Sequence, residues 1–446
     1  MNGRALPAIR IRLDRTDRAT ARAIFEVRVN DHNARPVGAV ATHALGLPDL
    51  IRSGRDLPES AFTVPVTTRE QLHTRLTEVG ASDAPAIWLD LPFPRGYLHL
   101  VPWERLLGDL PQPLLRQPTY PLRPDVPSTS LRVALALSAA TAMAGDAPLL
   151  PDLLPDLVRR WRDAAGRRVF IHVLTDAAPG GGVLDQVAGL PDVQVAVMPP
   201  DIAAAPLQTR LGAHPWPSWI RAHLQGTALD VVHLVGHGYL TGDRGELVVS
   251  AGPGATPAAA LAQEITDQEV ADLLGQTGAF ALVLSSAPGD DTPAALRAMA
   301  DAVARNRPGC AVVHDVAADL DLDEFGAALV MMFANVPPGR ALPSISCWGR
   351  PAFADHPQPI RTDLLDADGR SALIAPDTAE ALSRDRTPTW IAAGARVIEA
   401  AQAEWAGPTG HPEDPDAVAA LRDVSNLFDR HVRIQMRAGE SGEPEA

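Results

Sequence analysis

The sequence contains no lysine, so its 39 basic residues of the Lys and Arg type are all arginine. This absence excludes a phosphate-loop lysine, a Schiff-base lysine for pyridoxal phosphate and a lysine general base. Cysteine is almost absent too, because Cys310 and Cys347 are too few for a disulfide framework or a cysteine-rich zinc site. We therefore predict a reducing, cytoplasmic environment, and we predict no cofactor and no metal.

Long apolar runs and excess positive charge are also missing. The longest apolar run, from Phe325 to Phe333, is far shorter than the roughly 20 residues that a membrane-spanning helix needs. The amino terminus has no apolar core of the kind found in signal peptides. A formal net charge of -15 argues against binding to nucleic acid or to an anionic membrane. We expect neither as a partner.

The chain of 446 residues, 46% hydrophobic, is long enough for more than one core, and its pattern changes twice. Three regions are predicted: a β-rich N-terminal region (1–84), an α/β domain (85–350) and a helical extension with a disordered tail (351–446). The first region has two alternating strands at 9–13 and 24–29. The last has amphipathic helices at 388–405 and 415–434, and its tail is 438–446.

Short apolar runs alternate with helical patterns in the middle region, which predicts an α/β fold: a parallel sheet with helices on both faces. The strands are predicted at 131–137, 169–174, 193–198, 229–235, 280–284 and 310–314, and the helices at 153–164, 217–223, 266–274 and 293–304. Thr266 and Glu269 have the spacing of a capping box. A further strand pair is predicted at 86–91 and 97–104.

Two of these strands end in residues that suggest chemistry. Each strand runs into a predicted tight turn, the first at Gly236-His237-Gly238 and the second at Ser285-Ser286-Ala287. Parallel strands form sites beyond their carboxyl ends, so an imidazole and a hydroxyl are predicted to meet there. A glycine at 238 would let the backbone offer its N–H to a developing oxyanion.

The same edge offers candidates for other roles. Asp290 and Asp291 precede the helix that starts near Thr292, where negative charge is favourable, and they are predicted to line the cleft. His233 and His237 could be considered as metal ligands with these aspartates. Four residues of extended strand separate the two imidazoles by about 13 Å, so we predict no metal site.

Several segments together resemble the CHAT family, prokaryotic relatives of caspases, metacaspases, separase and gingipains. The matching segments follow the family's order and cover roughly residues 85–350; they are 97–107, 232–238, 266–285, 308–313 and 319–333. The resemblance implies a caspase-like sandwich with His237 as the catalytic base and a cysteine nucleophile after the second strand. It also implies a role in a prokaryotic defence or signalling system with a protein partner.

The cysteine that this resemblance requires is missing. Aligning Leu284-Ser285-Ser286-Ala287 with the family's Leu-Ser-Ala-Cys places Ala287 at the nucleophile position, and a methyl group cannot attack a carbonyl. Ser286 is one residue away, and a shift of one residue turns a strand side chain to the other face.

Three functions are therefore weighed. The first is an inactive caspase-like pseudopeptidase that binds a protein or peptide and regulates through that binding. The second is an active endopeptidase that uses Ser286 with His237. The third is an α/β domain that binds a small ligand, although no glycine-rich phosphate loop follows the first strand. The sequence leaves the oligomeric state open.

Overall fold

The fold is taken from a computed structural model, which describes residues 4–15, 21–29, 34–47, 57–92, 95–119, 129–138, 149–175, 181–198, 214–250, 262–286 and 293–355. The predicted helices at 388–405 and 415–434 and the tail at 438–446 lie outside these residues. The strands are β1 Arg4–Ala5, β2 Ala8–Arg15, β3 Ala21–Arg28, β4 Ala34–Ala41, β5 Ile87–Asp90, β6 Leu114–Arg116, β7 Ser130–Leu137, β8 Arg168–Thr175, β9 Val193–Val197, β10 Val231–Thr241, β11 Arg244–Ser250, β12 Ala262–Ile265, β13 Ala281–Ser286, β14 Cys310–His314, β15 Ile345–Trp348 and β16 Ala354–Asp355. The helices are α1 Val66–Glu78, α2 Trp103–Leu106, α3 Leu149–Ala164, α4 Gly181–Ala188, α5 Pro215–Leu224, α6 Asp267–Thr277, α7 Ala294–Asn306 and α8 Asp323–Leu329.

Fourteen strands of the described part form one sheet. Its main path runs β4-β3-β2-β5-β6-β15-β14-β13-β10-β7-β8-β9, and β11 and β12 extend it as a hairpin from β10. Six strands that are consecutive in the sheet, β9-β8-β7-β10-β13-β14, pair in parallel, whereas β15 is antiparallel to β14. The long crossovers that parallel neighbours require contain the helices. The predicted α/β class with a parallel sheet is confirmed.

Helices cover both faces of the parallel part of the sheet. On one face, α3 and α8 bury Trp161, Phe325 and Phe333 against the sheet. On the other face, α5, α6 and α7 form a second cluster that includes Trp216 and Leu296. The strands are apolar on both sides because both sides are covered.

The N-terminal strands are part of the same sheet. β2 and β3 form the predicted antiparallel pair, and β2 then joins β5 in parallel. β5 continues through β6 and β15 into the parallel part of the sheet. A third apolar cluster packs β2, β3 and α1 together with parts of α2 and α7.

Two predicted elements differ from the structure. The strand predicted at 97–104 is wrong: Leu98–Leu100 is a short 3-10 helix and Trp103–Leu106 is a short α-helix. Pro102, which lies between the two helices, has no N–H for a sheet ladder. The Trp103 indole N–H donates to the carbonyl of Leu98 at 2.8 Å, which links the second helix back to the first. The strand predicted at 229–235 extends to Thr241, because the residues after Val235 pair with β11.

The start of α6 has the side-chain cap that the sequence predicts. At the start of α6, Thr266 accepts a hydrogen bond from the Glu269 N–H, and Glu269 accepts one from the Thr266 N–H, so the predicted capping box is confirmed. No helix within the described ranges is long and apolar enough to cross a membrane.

Candidate functional site

The two strands singled out by the sequence are neighbours in the sheet. β10 pairs in parallel with β13, and Gly236 lies opposite Ser286. His237 is one residue beyond this pair on the adjacent strand. Because neighbouring strands lie about 4.8 Å apart, His237 and Ser286 share one edge of the sheet, where α/β proteins form their sites.

Ser286 is fully buried, and its hydroxyl has a structural partner. Its Oγ accepts a hydrogen bond from the backbone N–H of Val316 at 3.0 Å. The preceding residue, Ser285, turns to the opposite face, where its hydroxyl contacts His233 and His314. The Ser286 oxygen is thus bound to the segment that follows β14. Ala287, Asp290 and Asp291 lie outside the described residues.

His237 lies within a strand, although the sequence suggested a turn. It is opposite Val248 in the antiparallel pairing of β10 with β11, and only 8% of its surface is exposed. The alternation of a strand places its side chain on the same face as His233 and Val235. The face of β10 that His237 shares with Val235 is the one covered by α3 and α8.

Gly238 faces the other side of the sheet, where α7 approaches. A Cβ at this position would lie 2.8 Å from the Cβ of Ala295, and one at Gly245 on β11 would lie 1.8 Å from the Ala295 carbonyl oxygen. Both distances are too short for a side chain. The close packing of α7 on the β10–β11 hairpin therefore explains why position 238 is glycine.

Neither cysteine offers a reactive thiol. Burial raises the pKa of Cys310 to about 12, and burial followed by the nearby Glu104 carboxylate raises the pKa of Cys347 well above its ordinary value. The two residues lie on neighbouring strands, β14 and β15, where Cys347 is buried and Cys310 is partly buried. Thiolates are the reactive form of cysteine, so these two behave as small apolar residues.

A chain of buried polar groups lies directly below the candidate site, and sequence analysis missed it. The Trp161 indole N–H donates to His233 Nδ1 at 3.0 Å, and His233 Nε2 lies 2.8 Å from Ser285 Oγ. Ser285 Oγ lies 3.2 Å from His314 Nδ1, and His314 Nε2 lies 3.4 Å from Asp319 Oδ2. The first four residues have no exposed surface and Asp319 has 7%. We call these five residues the buried polar chain.

The electrostatics of the buried polar chain follow from its environment. Burial, with a smaller effect from His314, lowers the pKa of His233 to about 3. Burial alone would raise the pKa of Asp319, but the contact with His314 and hydrogen bonds from the N–H groups of Phe325 and Glu324 outweigh it and lower that pKa. The same carboxylate caps the start of α8, since it accepts hydrogen bonds from three N–H groups there.

The described residues form a small cavity near the site. A cavity beside the ends of β7 and β10, lined by apolar side chains including Trp216 and Ile220 and by Ser138, has a volume of about 10 Å³. Such a volume holds about one water molecule. In the described part of the chain, no group of three or more His, Cys, Asp or Glu side chains is arranged to hold a metal ion.

No protein-family model, no curated protein and no solved structure compared with the chain matches it. The resemblance to the CHAT family accordingly stays a prediction made from the motifs and their order.

Proposed function

We propose that this chain is a catalytically inactive caspase-like module that binds a protein or peptide segment at the carboxyl edge of β10 and β13. The observation that carries the proposal is the adjacency of these two strands, with Gly236 opposite Ser286 and His237 next to that pair. A caspase-like peptidase needs its base and its nucleophile on two such strands. The arrangement supports the caspase-like part of the proposal.

The groups at this edge support the inactive part of the proposal. A peptidase nucleophile must be within hydrogen-bond reach of its base and open to substrate. Ser286 is buried with its oxygen bound to the Val316 N–H, and the thiols of Cys310 and Cys347 are buried and protonated at neutral pH. The residue that follows Ser286 is Ala287.

The two alternatives have weaker support. An endopeptidase that uses Ser286 would have to break the bond to Val316 and turn the hydroxyl across the strand. Typical ligand sites enclose several hundred Å³, whereas the cavity that the described residues form beside β7 and β10 has about 10 Å³, too small to favour a small ligand there. Binding of an extended segment along the sheet edge requires neither change.

Peptide selection tests the proposal on the full chain. We expect a displayed library of random peptides to yield binders to the wild-type protein, and we expect them to lose at least tenfold in affinity for the variant His237→Trp. A bulky indole at this position would block the sheet edge. Affinities are measured by surface plasmon resonance.

The matched control is Val336→Arg, which changes a residue that is 51% exposed and lies outside the candidate site. Its affinity for the selected peptides should equal that of the wild type. The proposal fails if no peptide binds, or if His237→Trp and Val336→Arg affect binding equally although both variants are folded by circular dichroism.

A further inference from the structure

When both imidazoles are neutral, the buried polar chain has one arrangement of its protons. The Trp161 indole can only donate, so His233 Nδ1 must accept and a neutral His233 carries its proton on Nε2. That proton points to Ser285 Oγ, which leaves the Ser285 hydroxyl to donate to His314 Nδ1. His314 then carries its proton on Nε2, facing the Asp319 carboxylate, which can only accept.

This one-way chain joins the three strands that form the candidate site. His233 is on β10, Ser285 on β13 and His314 on β14, and these strands are neighbours in the sheet. Ser285 directly precedes Ser286, and His233 is four residues before His237 on the same face. The chain ends on Asp319, which caps α8. The carboxyl ends of the strands are thus connected through His233, Ser285 and His314.

A second proton on His233 would break this pattern. A charged His233 would have N–H groups on both ring nitrogens, so its Nδ1–H would face the Trp161 N–H. Two donors that face each other in a buried site cost free energy because neither is satisfied.

The surroundings provide little to stabilise a charge on His233. From α3 comes the Trp161 indole, from α8 the Phe325 ring, and from β7 the paired residue Leu135. His314 stacks on Phe325 and pairs with Ile345 on β15. Among the carboxylates around His314, Asp319 contacts its Nε2 and Asp315 follows it in the sequence. Glu324 on α8 accepts hydrogen bonds from Ser344.

We propose that the buried polar chain is an acid-sensitive lock on the candidate site: while His233 is neutral, the chain holds the ends of β10, β13 and β14 together, and protonation of His233 separates them. The regulatory meaning of the lock rests on the proposed function, whereas the lock itself does not. The direction of the pH effect follows from His233, whose pKa of about 3 is below the value of an unfolded histidine. Its contribution to stability is present above about pH 6.5 and is lost as the pH falls toward 3, at up to about tenfold in the folding constant per pH unit.

The test uses Trp161→Phe, which keeps an aromatic ring but removes the N–H that holds His233 Nδ1. In protein labelled with ¹⁵N-histidine, NMR should show wild-type His233 as the neutral Nε2–H tautomer at pH 7, assigned through the variant His233→Asn. In Trp161→Phe the His233 titration should move up by about one pH unit. As the pH is lowered, amide hydrogen exchange of residues 231–241 and 281–286, corrected for intrinsic rates, should accelerate in both proteins. In Trp161→Phe this acceleration should begin at a pH about one unit higher than in the wild type.

The control Trp219→Phe makes the same change on the opposite face of the sheet, in the cluster with Trp216. It should leave the His233 titration and the exchange transition of the two strands unchanged. A signal from His233 itself is needed because His172, which is not part of the buried polar chain, also has a pKa lowered to about 4 by burial.

Two results would overturn the lock. One is an Nδ1–H or charged His233 in the wild type at pH 7, which needs no variant to fold. The other is an equal response of Trp161→Phe and Trp219→Phe. Neither result depends on peptide binding, so failure of the lock and failure of the proposed function are separate outcomes.

Discussion

Replacing Arg116 with methionine should lower the free energy of unfolding by about 3–5 kcal/mol, the range found when one partner of a buried ion pair is removed. Arg116 is 2% exposed, and it donates to both carboxylate oxygens of Glu104 at 2.7 and 2.9 Å. It also donates to the carbonyls of His99 and Val101 at 2.7 and 2.8 Å. Methionine would leave the Glu104 carboxylate buried without its cation.

Urea unfolding of the wild type, of each single variant and of the double variant Arg116→Met with Glu104→Leu measures this effect. The double variant should recover much of the loss, because no unpaired charge remains. The matched control is Arg168→Met, which removes an arginine of comparable geometry, bonded to Asp192 at 2.7 and 2.9 Å but 42% exposed. It should cost about 0–1 kcal/mol. If Arg116→Met costs no more than Arg168→Met, the pair does not stabilise the fold as described.

Replacing Gly245 with alanine should cost about 3 kcal/mol, the upper part of the range for overpacked positions. The new Cβ would lie 1.8 Å from the Ala295 carbonyl oxygen and 2.8 Å from the Met299 backbone nitrogen, both on α7. These atoms belong to a helix backbone, so the hairpin and the helix must move apart. The hairpin is formed by β10 and β11, and it holds His237 opposite Val248.

Thermal unfolding and hydrogen exchange measure this separation. Gly245→Ala should lower the melting temperature and raise the exchange of residues 237–250, in which the hairpin lies. In the control Gly182→Ala on α4, the new methyl has no heavy atom within 4 Å, and alanine favours a helix, so stability should be unchanged or higher by up to about 1 kcal/mol. A loss at Gly245 no larger than at Gly182 would mean that α7 does not pack on the hairpin as closely as described.

Much of the fold could be predicted from the sequence, because buried parallel strands leave a simple signal. The strand at 310–314 was predicted with the bounds observed for β14, and the capping box identified the start of α6. The continuation of β10 past Val235 was missed. The glycines at 236 and 238 suggested a turn, whereas Gly238 is required by the approach of Ala295, a residue more than fifty positions later.

The candidate site could be predicted only where it depended on strand ends. His237 and Ser286 were placed on neighbouring strands because each follows an apolar run, and Gly236 does lie opposite Ser286. The buried polar chain could not be found in this way. Its members come from α3, β10, β13, β14 and the segment before α8, and each looks like an ordinary core or turn residue in its own segment.

Labelling by a peptide carrying a thiol-directed electrophile is the most direct test of the central claim, that the edge of β10 and β13 is a caspase-like site without a nucleophile. Mass spectrometry should show no modification of the wild type, since Cys310 and Cys347 are buried thiols with raised pKa. The variant Ala287→Cys should be labelled, and adding His237→Ala should slow its labelling at least tenfold, because the base that activates the thiol is lost. Wild-type labelling that disappears in Ser286→Ala, or Ala287→Cys labelling that does not depend on His237, would contradict the account.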